Sequence, residues 1–219
     1  MNGRIGFTSV IVTMCLIVCL GFSNGKQGGK YEIIEKTKGD IKYPQINFLN
    51  ENDTEKEERI NALILNNVYG PYSFMEDPEL AISITYEVTY QDKNYLSICY
   101  RGTYVDKSSY TGDVGYAITI DLNNETIVKL EDIIEAEGRD AIVTKIEKGE
   151  FETEYGVITP DNEHIDISSI IQDQPIVNSD TRESQYYYFL YDKKIGIIII
   201  GIPRYGGNYS IINVKYLWK

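Results

Sequence analysis

Along most of this chain apolar and polar residues alternate with the two-residue period of a half-buried strand, and two stretches follow the longer period of a helix. Ile82, Ile84, Tyr86, Val88 and Tyr90 alternate with Ser83, Thr85, Glu87 and Thr89, which predicts a strand with one face toward a core. The chain turns at 91–94, and Tyr95 to Tyr104 returns with Leu96, Ile98 and Tyr100 on the apolar side and Cys99 on the other. After a polar loop from Asp106 to Asp113, the alternation resumes at Val114, Tyr116, Ile118, Ile120 and Leu122. Asn123 and Asn124 then make a tight turn, and Thr126 to Leu130 completes a hairpin. Tyr31 to Leu49 alternates more loosely; Pro44 has no N–H to give a ladder and marks an edge strand or a strand start.

The C-terminal end is the most apolar part. Tyr186–Tyr191, Ile195–Ile202 and Tyr209–Trp218 read as three strands, separated by a charged turn at Asp192–Lys194 and a break at Pro203–Asn208. The isoleucine run spans eight residues, too few to cross a bilayer. Left exposed it would aggregate, so it has to be buried on both faces or paired on both edges.

The clearest helical stretch runs from Asn52 to Tyr69. Thr54 and Glu57 fit a capping box, acids crowd the first turn, Ile60, Leu63, Ile64 and Val68 share a face, and Gly70-Pro71 ends it. A second helical stretch runs from Leu130 to Lys148, with Ala141, Ile142, Lys145 and Ile146 at helical spacing and Gly149 as its stop. Phe151 to Thr181 keeps no period and receives no element. The expected fold is α+β: antiparallel sheets with one or two helices packed on a face.

The N-terminus changes the picture of location. Arg4 is followed by an apolar run of 18 residues, Ile5 to Phe22, and then by a polar, glycine-rich spacer. This predicts a signal peptide or an N-terminal anchor over residues 1–25. Cleavage after Ser23 would use Gly21 and Ser23 as the small residues. Lipidation at Cys19 is the alternative, although Val18 stands where a small residue is expected, and a retained anchor is a third. Each version places the remainder outside the cytoplasm, secreted or tethered to the outer face of the membrane. The membrane is contacted only through the leader. Residues 26–134 are expected to form an N-terminal α+β domain and 135–219 a C-terminal one, packed with it as one unit.

Formal charge is −12, and without residues 1–23 the chain has 20 basic and 33 acidic residues, or −13. Such acidity argues against nucleic acid as a partner. It suits a cationic partner, or solubility alone. Cys15 and Cys19 lie in the leader, so a mature chain keeps Cys99 and no disulfide.

Catalytic chemistry is not legible. His164 is the single histidine, there is no G-x-S-x-G, H-E-x-x-H or P-loop, and the glycines at 201–207 lack the Gly-Lys-Ser/Thr step. Cys99 has no histidine near it in sequence to activate it. Carboxylate pairs such as Glu131 with Asp132, or Glu152 with Glu154, are expected by chance among 33 acids. The chain is therefore expected not to be an enzyme and to need no metal or cofactor. Nineteen tyrosines stand against six phenylalanines. Those on strands belong to sheet packing, whereas loop tyrosines can anchor a partner. Two loops qualify: Tyr110 with Asp113, and Tyr205 and Tyr209 flanking Asn208.

The stretch Tyr43-Pro-Gln-Ile46, the acidic-capped helix, Ile82-Ser-Ile-Thr-Tyr86 and Gly115 to Ile134 resembles a family of paired extracytoplasmic domains of unknown function. These domains occur in RsiV-type anti-sigma factors and in the non-catalytic N-terminal part of PdaC-type peptidoglycan deacetylases. Tyr188 to Ile197 and Tyr209 to Tyr216 are similar to the C-terminal member of the pair. The resemblance covers roughly residues 31–219. It implies a non-catalytic module that recognises a basic envelope-active protein such as lysozyme, standing here without a cytoplasmic sigma-binding segment or a deacetylase domain. The alternative is a module for cell-wall glycan, or a degenerate cell-wall enzyme. Relatives commonly carry a Gly-Ala-His type turn where this chain has Ser108 to Gly115, with no histidine.

Overall fold

The structure is a computed structural model that describes residues 31–50, 53–70, 77, 79–134, 137–155, 186–192, 194–200 and 209–216. It has the α+β architecture that the patterning predicts. The first sheet holds β1 (Tyr31–Lys38), β2 (Ile41–Phe48), β3 (Ala81–Gln91), β4 (Tyr95–Val105), β5 (Thr111–Asp121) and β6 (Thr126–Ile127), in sequence order. Helix α1 (Thr54–Asn66) connects β2 to β3, so these two strands run parallel, touching through one bridge between Ile41 and Ile84. The other neighbours in the sheet are antiparallel. Next come the short helices α2 (Leu130–Ile133) and α3 (Gly138–Glu147), where the sequence predicts one continuous helical stretch. The second sheet is antiparallel, built from β7 (Phe151–Tyr155), β8 (Tyr186–Tyr191), β9 (Lys194–Ile200) and β10 (Tyr209–Lys215) in the order β7-β10-β9-β8.

Three apolar layers hold these parts together. Ile60, Ile64 and Val68 from α1 and the turn after it bury against Leu96, Ile98, Tyr100, Val114, Tyr116 and Ile120 of the first sheet. Tyr100 and Tyr116 pair across β4 and β5 with stacked rings, their centroids 4.7 Å apart. Ile142, Val143 and Ile146 of α3 bury against Leu190, Ile195, Ile197, Ile199, Ile212 and Val214 of the second sheet. Between the sheets lie Cys99, Ala117, Phe189, Ile198 and Ile211. Ile195, Ile197, Ile198 and Ile199 of the isoleucine run are thus buried, and β9 is paired on both edges, by β8 and β10.

The sheets do not stack with their strands aligned. The Tyr188 hydroxyl of β8 donates to the Val128 carbonyl, just after β6, at 2.6 Å. The Leu190 N–H donates to Ser97 Oγ of β4 at 3.0 Å, and Asp192 comes close to Tyr90 of β3. Along β8 and the residue after it, the chain therefore passes from the β5–β6 end of the first sheet over β4 to β3. β8 crosses those strands, an orthogonal packing.

Helix α1 departs from the expected cap. Asp53 is the N-cap and makes no side-chain capping bond, while Thr54 is the first helical residue. Glu57 is drawn to β2, where its Oε2 accepts the Phe48 N–H at 2.7 Å. One turn on, Asn61 Oδ1 accepts the Ile46 N–H at 2.8 Å and Asn61 Nδ2 donates to the Ile46 carbonyl at 2.9 Å. The amide of Asn61 thus stands in for a strand that β2 lacks on this side, because β2 diverges from β3 beyond the Ile41–Ile84 bridge.

Three further differences have local causes. The loosely alternating N-terminal stretch is a hairpin, since Gly39 takes the left-handed conformation (φ 61°) that turns the chain between β1 and β2. The loop expected over Asp106–Asp113 is shorter, because β4 runs to Val105 and β5 starts at Thr111. Phe151–Tyr155 forms β7, where no element was expected, by pairing with β10.

Candidate partner-binding site

The turn between β4 and β5 comprises Asp106 to Tyr110, and one carboxylate organises it. Asp106 Oδ1 accepts the N–H groups of Ser108 (2.8 Å) and Tyr110 (2.9 Å) and the Ser108 hydroxyl (2.6 Å). The Asp106 N–H donates to the Tyr110 carbonyl at 3.0 Å, and Ser109 takes a positive φ of 63° to close the turn. The Ser108 hydroxyl, the Tyr110 amide and the Ser108 amide hold the Asp106 carboxyl below the usual carboxylate range, against a smaller opposing effect of desolvation. The turn is therefore locked and negatively charged at neutral pH.

Tyr110 projects from this turn with 53% of its surface exposed. Its ring is 6.3 Å from that of Tyr104, tilted by 54°. Burial, then the proximity of Tyr110 and Asp106, pushes the Tyr104 phenol above its ordinary pKa, so it stays neutral. The start of β3 reaches the same end of the sheet, because Ala81 pairs with Val105 and Val105 with Thr111. There Glu79 forms an ion pair with Lys107 of the turn, and Asp77 Oδ1 accepts the Glu79 N–H at 2.9 Å. Asp113 is opposite Thr103 on β5 and half-buried. Tyr104 and Tyr110 thus stand beside the Asp106 carboxylate, at an end of the sheet that also carries Asp77 and the Glu79–Lys107 pair, while Asp113 alternates onto the face of β5 opposite Tyr104. Such an arrangement offers an amphipathic anchor and attraction for cations.

Tyr110 and Asp113, both expected from sequence, fall at this end. Tyr205 and Asn208 lie outside the described residues. Tyr209 opens β10 opposite Ile200, but its side chain is also outside what is described. Asp77, Glu79 and Tyr104 are contributions the sequence reading missed. Asp106 with Ser108 carried a local signal, an Asp followed two residues later by Ser in a turn; Asp77 and Glu79 carried none, being distant in the chain.

The other residues with conceivable chemistry have structural roles or fall outside. Cys99 is buried between the sheets. Glu131 and Asp132 are in the first turn of α2, where Asp132 Oδ2 accepts the Lys129 N–H at 3.1 Å. Glu152 pairs with Lys194. His164 and the side chain of Glu154 are outside the described residues. Among the described residues no group of three or more His, Cys, Asp or Glu could hold a metal ion, and no helix is long and apolar enough to cross a membrane.

The chain matches no protein-family model and no curated protein. Among solved structures, it is similar to the crystal structure of a member of the DUF3298 family from Bacteroides fragilis, with 12% sequence identity, a TM-score of 0.47 and coverage of 89% of this chain and 96% of that one.

Proposed function

We propose that this chain is an extracytoplasmic, non-catalytic binding module that recognises a basic envelope-active protein such as lysozyme. The observation that carries the reading is Tyr110, an exposed aromatic on a turn locked by the Asp106 carboxylate, with the Tyr104 ring beside it. Aromatic anchors ringed by polar groups concentrate binding energy, and acids steer a cationic partner. The apolar leader supports export, with the chain secreted or tethered through its N-terminus.

Titration of the chain with lysozyme by calorimetry, at low and at physiological salt, tests this. Binding should weaken as salt rises. Tyr110→Ala should cost about 2 kcal/mol of binding, the size of a hot-spot truncation. Undiminished affinity in Tyr110→Ala, or no heat of binding at either salt, overturns the reading. The half-open Tyr104–Tyr110 pair favours one alternative, a module for cell-wall glycan, because sugar stacks on tyrosine faces. Purified peptidoglycan titrated in parallel separates the two, since stacking is nearly insensitive to salt.

A further inference from the structure

The divergence of β2 from β3 leaves backbone groups of β3 without a partner among the described residues. The Ile84 N–H donates to Asp40 O at 3.4 Å, across the single bridge to β2. Residues two and four further along a strand point their N–H and C=O groups the same way, so those of Tyr86 and Val88 face the opening, away from β4. β2 forms no ladder with them, its pairing with β3 being the single Ile41–Ile84 bridge. Pro44 has no N–H, Ile46 is bonded at both groups to Asn61, and the Phe48 N–H is bonded to Glu57. Among the described residues, no turn or loop group bonds the backbone of Tyr86 or Val88. The opening is bounded by the Ile41–Ile84 bridge at one end, and at the other by the Tyr31 hydroxyl, which donates to Asp92 O at 3.2 Å. Tyr86 and Val88 are half-buried, while Thr85 and Glu87 beside them are exposed.

We propose that this opening receives an extended, basic segment of a partner polypeptide, hydrogen-bonded to Tyr86 and Val88 as a strand added to β3. Two residues offer two donors and two acceptors at strand spacing, which an extended backbone matches and a compact ligand does not. The sign of the charge follows from Glu87, exposed on the rim with no ion pair among the described residues, and from the overall charge of −12. A second copy of this chain would bring the same negative charge to the contact. The site is separate from the Tyr110 turn and stands whether or not lysozyme is the partner.

The test uses the isotope-labelled full-length chain and three synthetic decapeptides: alternating Lys-Thr, alternating Glu-Thr, and alternating Lys-Thr with every second amide N-methylated. Without peptide, the Tyr86 and Val88 amides should exchange quickly with solvent, in contrast to those of Thr85 and Glu87, which face β4. The Lys-Thr peptide should slow both by about tenfold or more, and the other two should not. Val88→Pro removes one donor aimed at the opening and no β3–β4 bond, so it should abolish the effect. Glu87→Gln, a surface change, should weaken the Lys-Thr peptide by several-fold if Val88→Pro proves unstable. Slow exchange at both amides without peptide, no change on adding the Lys-Thr peptide, or equal binding of its N-methylated form each overturns the proposal. Loss of lysozyme binding with peptide protection intact counts against the Tyr110 reading alone.

Discussion

Ser97 and Thr119 lie on the face of the first sheet that carries the small and polar residues, yet both are fully buried. Their hydroxyls are 2.9 Å apart, and Ser97 Oγ also accepts the N–H of Leu190 from the other sheet. Ser97→Ala would leave that N–H buried and unmatched, so we expect a loss of about 1–3 kcal/mol in urea denaturation. Thr119→Val keeps the Leu190 bond and should cost less than Ser97→Ala. Asp106 makes a prediction about pH. Its folded-state pKa is lowered, so the ordering it gives the turn is complete above the ordinary carboxylate pKa and is lost as pH falls through the lowered value. The Tyr110 amide resonance should therefore hold its position through the range where free carboxylates titrate and move only at more acid pH. Movement together with the exposed acids would contradict the lock.

At the scale of elements, α1 is tied to β2 by side chains acting as strand. Asn61→Ala removes both bonds to Ile46, and we expect it to destabilise the protein by about 1–3 kcal/mol. Asn61→Asp keeps the acceptor for the Ile46 N–H but opposes the carbonyl with a negative oxygen, so it should be no better than alanine near neutral pH. Thermal melts of the two variants decide the point. The meander of β3, β4 and β5 was legible because one face is apolar throughout, and α1 was legible because Ile60, Ile64 and Val68 recur on one side. What could not be read shares one cause: a partner distant in the chain overrode a local signal. Glu57 fits a capping box and serves β2 instead; Ser97, on the face opposite Leu96 and Ile98, is covered by β8. Tyr110 stood out because glycine and aspartate surround it, whereas Asp77 and Glu79 join it only through the pairing of β3 with β4.

At the scale of the whole molecule, two helix-covered sheets meet, among the described residues, through an apolar contact of five buried residues together with the Ser97–Leu190 and Tyr188–Val128 bonds. Each sheet has its own larger core on its outer face. The two halves are thus held internally more firmly than they are held to each other, and opening between them should precede global unfolding. Cys99 sits in that contact with its thiol fully buried. With Cys15 and Cys19 replaced by serine, the thiol becomes a built-in clock. A reagent that attacks thiols can reach it only when the sheets part, so its labelling rate, divided by that of an unprotected cysteine, gives the equilibrium between joined and parted halves. A bound partner that spans both sheets would slow the clock, and one that grips a single sheet would leave it running at the same pace.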